Sequence, residues 1–127
     1  MTSTKSTQSL SFPKVTSLKK RRDFLRLRKA RTYKCRLFAV SGGKDDQSIK
    51  ETRIGYTVTT KLGNAVIRNR IKRRLRAVAS TVLTEKGLRG FDYVVIARRA
   101  VLRAEYSDLI SEFSSALDHI HKDRSKG

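Results

Sequence analysis

The chain has 127 residues, with 30 Lys and Arg against 11 Asp and Glu, a formal charge of +19. That length suits one domain, and 38 % apolar residues fill a modest core, but no run approaches the ~18 apolar residues of a membrane helix. No basic-then-apolar leader is visible, and a single Cys35 leaves no disulfide framework and no cysteine-based zinc site, so a soluble protein of the reducing cytoplasm is expected.

Residues 1–13 are rich in Ser and Thr and read as a disordered extension that ends at Phe12-Pro13. A single domain is expected over 14–123, with a flexible tail over 124–127. Asp23 to Ala30 fits a short helix. Thr32 to Val40 alternates as a strand does, with Tyr33, Cys35, Leu37 and Ala39 on one face and Lys34, Arg36, Phe38 and Val40 on the other. Ser41 to Asp46 reads as a hairpin loop, followed by a strand over Arg53–Thr59 that sets Ile54, Tyr56 and Val58 on one side. Asn64 is placed to cap a long helix reaching Lys86 and stopping at Gly87. Phe91 to Ala97 reads as a strand buried on both faces. Tyr106, Leu109, Ile110, Phe113, Leu117 and Ile120 then recur at helical spacing. The expectation is a small α+β domain in the order α-β-β-α-β-α, its small sheet packed against helices.

The charge is not scattered. Lys14 to Arg36 holds eleven bases and one acid, Asp23, and Lys61 to Arg76 holds seven bases and no acid. On a helical wheel Ile67, Ile71, Leu75, Val78 and Val82 fall within about 80° of one another and form the core stripe. Arg68, Lys72 and Arg76 stack along one flank beside Asn69 and Arg73. Like charges at i, i+4 destabilise an isolated helix by a few tenths of a kcal/mol each, so a polyanionic partner is implied. Guanidinium groups match phosphate oxygens in a bidentate way. A DNA-reading helix lacks its usual spacing or zinc ligands here, so RNA fits better than DNA, and a membrane surface is the weaker alternative. Phe38 beside Lys34 and Arg36 reads as a stacking platform for a base, with Phe24 as a second candidate; a core role for either ring is the competing reading.

Protein-based chemistry is sparse. His119 and His121 stand at i, i+2 on a helix and do not face each other, and no phosphate loop or carboxylate cluster for magnesium is visible. The residues describe a binding protein.

The run Lys61-Leu62-Gly63-Asn64-Ala65-Val66-Ile67-Arg68-Asn69-Arg70-Ile71-Lys72-Arg73-Arg74-Leu75-Arg76 closely resembles the signature of the bacterial ribonuclease P protein component. Phe12-Pro13-Lys14, Arg22-Asp23-Phe24 and Asp92-Tyr93-Val94-Val95-Ile96-Ala97-Arg98 match that family's layout in order, so the resemblance covers roughly residues 12 to 120. It implies the non-catalytic protein subunit of an endoribonuclease whose RNA subunit removes the 5′ leader of precursor tRNA, with Mg2+ bound mainly by the RNA. The partners it implies are the catalytic RNA and precursor tRNA. By position, Arg68, Asn69, Arg70, Lys72, Arg73 and Arg76 would contact the RNA subunit. Phe24, Phe38, Lys34, Arg36 and Lys61 would line a leader cleft between the sheet and the first helix. Arg28 stands where the family often has a second aromatic. The resemblance also implies a left-handed β-α-β crossover, against the general right-handed rule. A structural RNA-binding protein, such as a ribosomal one, and a protein-only nuclease are the rival readings.

Overall fold

In the computed structural model, which describes residues 15–18, 20–44, 51–88 and 90–126, a five-stranded mixed sheet separates two long helices from a short one. What was expected of residues 1–14, of 45–50 and of Gly127 falls outside these. The elements are β1 (Val15–Ser17), α1 (Arg21–Leu27), β2 (Arg31–Lys34), β3 (Phe38–Lys44), β4 (Thr52–Thr57), α2 (Ala65–Lys86), β5 (Phe91–Ala97) and α3 (Tyr106–Lys126). Short 3-10 turns occupy Thr60–Leu62 and Arg99–Leu102. Across the sheet the order is β1-β4-β5-β3-β2, with β1, β4 and β5 parallel and β3 and β2 antiparallel to their neighbours. Because β4 and β5 are adjacent and parallel, α2 is the crossover of a β-α-β unit.

The α+β class stands, with two strands more than the sequence suggested. The expected strand Thr32–Val40 is a hairpin: Cys35 N–H donates to the Phe38 carbonyl at 2.9 Å, and the chain reverses between β2 and β3. The expected loop at Ser41–Asp46 is strand as far as Lys44. Gly42 sits there because side chains crowd it: a Cβ would lie 2.9 Å from both Ile120 Cγ2 and Tyr93 Cδ1. Helix α3 runs to Lys126, over most of the expected tail.

Alternation divides the core in two. Phe91, Tyr93, Val95 and Ala97 of β5 pack with Ile71, Leu75, Val78 and Val82 of α2 and with Leu109, Phe113, Leu117 and Ile120 of α3. Ile67, expected in that stripe, is half-buried against it. On the opposite face Val94 meets Leu18 and Leu27, with Phe24 and Ala30 packed against them. Asn64 caps α2 as expected, its Oδ1 accepting from Ile67 N–H at 3.0 Å. At the other end Gly87 N–H donates to the Leu83 carbonyl at 2.8 Å.

Candidate nucleic-acid interface

Helix α1 leaves part of its face of the sheet uncovered, and a cleft of about 420 Å³ opens there. Arg21, Phe24, Leu25 and Arg28, one helical stripe at i, i+3, i+4 and i+7, form one wall. Thr57, Val94 and Ile96 form the floor. Ile96 is 41 % exposed and Leu25 likewise 41 %, so the cleft is apolar inside and cationic at its rim. Phe24 is seated on β4 at Gly55, where a Cβ would come within 2.5 Å of the ring's Cζ. The sheet register places Lys34 opposite Ala39, Ala39 opposite Ile96, and Ile96 opposite Thr57. Lys34 therefore ends a cross-strand row that starts in the cleft floor.

Phe38 is not in this cleft. It is fully buried on the other face, opposite Ala97, with its ring edge-on to Phe113 at 6.0 Å between centroids. The turn at Cys35–Leu37 breaks the alternation that had grouped Phe38 with Lys34 and Arg36, so the expected stacking platform is a core residue. Lys34 and Arg36 are exposed at the tip of the β2–β3 hairpin, and Lys61 is exposed in the 3-10 turn after β4.

On α2, Asn69, Arg70, Arg73 and Arg76 are exposed, and Arg68 and Lys72 are half-buried. Val66, Asn69, Lys72, Arg73 and Arg76 line a second, more open groove. The only acid on the helix is Glu85, near its far end. Arg68 Nε donates to the Gly63 carbonyl at 3.1 Å and steadies the start of the helix. Arg74 differs from its neighbours: its guanidinium donates to the carbonyls of Leu102 at 2.8 Å and Ala104 at 2.6 Å. That cation serves the fold. Arg99 braces the Lys61 turn by donating to the Leu62 carbonyl at 2.7 Å.

Both cationic regions meet at one end of the sheet. Strand β4 leaves the cleft floor at Thr57, passes through the Lys61 turn and enters α2, whose first turns carry Arg68, Asn69 and Arg70. The hairpin tip with Lys34 and Arg36 lies at the same end, since Phe38 pairs with Ala97 at the C-terminus of β5. Sequence reasoning missed Arg21, Leu25, Thr57, Val94 and Ile96; the i, i+3, i+4, i+7 spacing on α1 was the available signal.

Among the described residues no group of three or more His, Cys, Asp or Glu could hold a metal ion. The buried carboxylates nearest the cleft, Asp23 and Asp92, are instead engaged by Arg26 and Arg53. No described helix is long and apolar enough to cross a membrane.

A basic helix and a cationic, phenylalanine-walled cleft on a mixed sheet define a small α+β protein suited to RNA phosphates and unpaired bases. The family model described as Ribonuclease P matches residues 12–121. The ribonuclease P protein component of Bartonella quintana is 43 % identical over 102 residues, covering 76 % of this chain and 77 % of that protein. That of Ruegeria pomeroyi is 38 % identical over 109 residues, covering 84 % and 87 %. Among solved structures, the Staphylococcus aureus RNase P protein superposes with a TM-score of 0.63 at 31 % identity, covering 85 % of this chain and 94 % of that one. The Thermotoga maritima RNase P protein gives 0.64 at 27 %, covering 84 % and 96 %. This chain belongs to the bacterial ribonuclease P protein component family, and as such is a component of an endoribonuclease that processes tRNA in association with an RNA subunit.

Proposed function

We propose that the two cationic regions divide the work of this subunit. The exposed side of α2, with Arg68, Asn69, Arg70, Lys72, Arg73 and Arg76, docks on the catalytic RNA. The cleft between α1 and the sheet holds the single-stranded 5′ leader of precursor tRNA. Phe24 supplies a stacking surface there, and Ile96 and Leu25 supply apolar contact. Arg21, Arg28, Lys34, Arg36 and Lys61 meet the leader phosphates. The observation that carries this reading is the meeting, at one end of one sheet, of an apolar, cation-rimmed cleft and a basic helix with no acid before Glu85. A substrate strand lying in the first then runs directly toward an RNA seated on the second.

Hydrolysis of the phosphodiester belongs to the RNA subunit, which in this reading also holds Mg2+; the described residues do not fit a magnesium site. The contribution of the protein is binding and positioning. One stacked base is worth ~1–3 kcal/mol, and each charge-assisted phosphate contact adds a comparable amount. Adding the chain to its catalytic RNA is expected to lower the magnesium concentration needed to cleave precursor tRNA. An unchanged requirement contradicts the proposal. So does cleavage that tracks protein concentration after exhaustive removal of RNA, which is the outcome a protein-only nuclease would give.

A further inference from the structure

Beneath α1 lies a four-membered charge cluster that the proposed contacts do not use. Asp92 of β5 is fully buried; Arg53 of β4 clasps it through two bonds, Nε to Oδ1 at 2.8 Å and NH2 to Oδ2 at 2.7 Å. Arg26 of α1 reaches down to the same Oδ2 and also donates to the Lys44 carbonyl at the end of β3 at 3.1 Å. Asp23 of α1 balances the set, 3.7 Å from Arg26 and 3.8 Å from Arg53. The two carboxylates and two guanidiniums thus tie one helix to three strands.

Helix α1 needs such a tie. It has seven residues, far short of what holds a helix together alone, and its start has no side-chain cap. Its apolar anchorage is small: Leu27 is buried beside Leu18 and Val94, and Phe24 rests on Gly55. Asp23 and Arg26 flank Phe24 in sequence, so the cluster that holds them also fixes where the ring stands over the sheet. Arg21, Leu25 and Arg28, which wall the cleft together with Phe24, belong to the same short helix or its C-cap.

We propose that Asp92 is a positioning residue for the leader: through Arg26 and Arg53 it pins α1 over the sheet and fixes the width of the cleft. This rests on the assignment of the leader to that cleft. Loss of one stacked base weakens binding on the order of tenfold, so losing one of the ties should be visible in substrate preference.

The test uses holoenzyme reconstituted with the RNA subunit and compares affinity for leader-bearing precursor tRNA with affinity for mature tRNA. Asp92→Asn keeps the shape and removes the charge. Arg26→Gln removes the same tie from the half-exposed side and keeps the test alive if the first variant does not fold. Val82→Ala, in the core on the other face, controls for general loss of stability. Asp92→Asn and Arg26→Gln should each lower the preference for the leader-bearing substrate roughly tenfold, the order of one stacked base. The maximal cleavage rate and the affinity for the RNA subunit should stay as they are, and Val82→Ala should leave the preference intact. Equal weakening of both tRNAs, or the same loss of preference in Val82→Ala, makes the cluster merely structural and overturns the proposal. Phe24→Ala is run beside them. If it alone loses the preference, the positioning role is wrong while the cleft assignment stands; if Asp92→Asn, Arg26→Gln and Phe24→Ala all keep it, the cleft assignment falls and the positioning role with it.

Discussion

Phe38 and Phe113 meet edge-to-face, 6.0 Å between centroids, and join the sheet to α3. With no exposed surface, the Phe38 ring cannot stack on a base. Phe38→Ala is therefore expected to destabilise the fold by about 3–5 kcal/mol, the usual cost of emptying a buried phenylalanine site. Urea denaturation measures this directly. At temperatures where the variant is folded, its holoenzyme should bind leader-bearing and mature tRNA in the native ratio.

Gly55 offers the opposite kind of test. It lies under Phe24, and a methyl group there would collide with the ring at 2.5 Å from Cζ. Gly55→Ala should displace Phe24 from its seat and weaken binding of leader-bearing precursor tRNA, by up to the ~1–3 kcal/mol of one stacked base. Affinity for mature tRNA should not change. Filter binding with the two substrates separates the effects.

The cations of α2 are expected to behave unequally. Arg70→Ala and Arg73→Ala remove exposed guanidiniums and should weaken association with the catalytic RNA by about 1–3 kcal/mol each, with a shallower dependence on salt and an unchanged melting temperature. Arg74→Ala should do the reverse. Its guanidinium holds the carbonyls of Leu102 and Ala104, so stability should fall and the salt slope should stay as in the native protein. Titrations of RNA binding at several salt concentrations distinguish the two classes.

What the sequence disclosed follows physical lines. The two long helices were legible because each carries a 3.6-residue apolar stripe, and α2 also has Asn64 as its cap. Strand β1 was missed because three residues at a sheet edge carry no alternation. The turn between β2 and β3 was missed because Cys35-Arg36-Leu37 contains none of the usual turn formers, so two strands read as one. Gly42-Gly43 misled in the other direction, since glycines chosen for close packing resemble glycines chosen for a turn. For the site, the basic helix was plain and the cleft only half so. Phe24 belonged to it, Phe38 did not, and the floor at Ile96 was hidden in a strand that looks buried on both faces.

Alkaline pH should reveal Tyr56. Burial pushes its hydroxyl up to about 12, outweighing the opposite pull of the nearby Arg76 guanidinium. A folded-state value above the unfolded value near 10 means that the fold favours the neutral phenol. That stabilisation is fully present below pH ~10 and is lost as the pH rises from about 10 toward 12. Denaturation midpoints over this range should fall less steeply in Tyr56→Phe than in the native chain.

The most direct test of the leader cleft is where the leader lies. A photoreactive 4-thiouridine placed in the leader, bound to reconstituted holoenzyme and irradiated, marks the residues it touches. Adducts are expected on the tryptic peptides Asp23–Arg26, which carries Phe24, and Gly90–Arg98, which carries Val94 and Ile96. Adducts confined to α2 or to α3, with none on either peptide, would contradict the account.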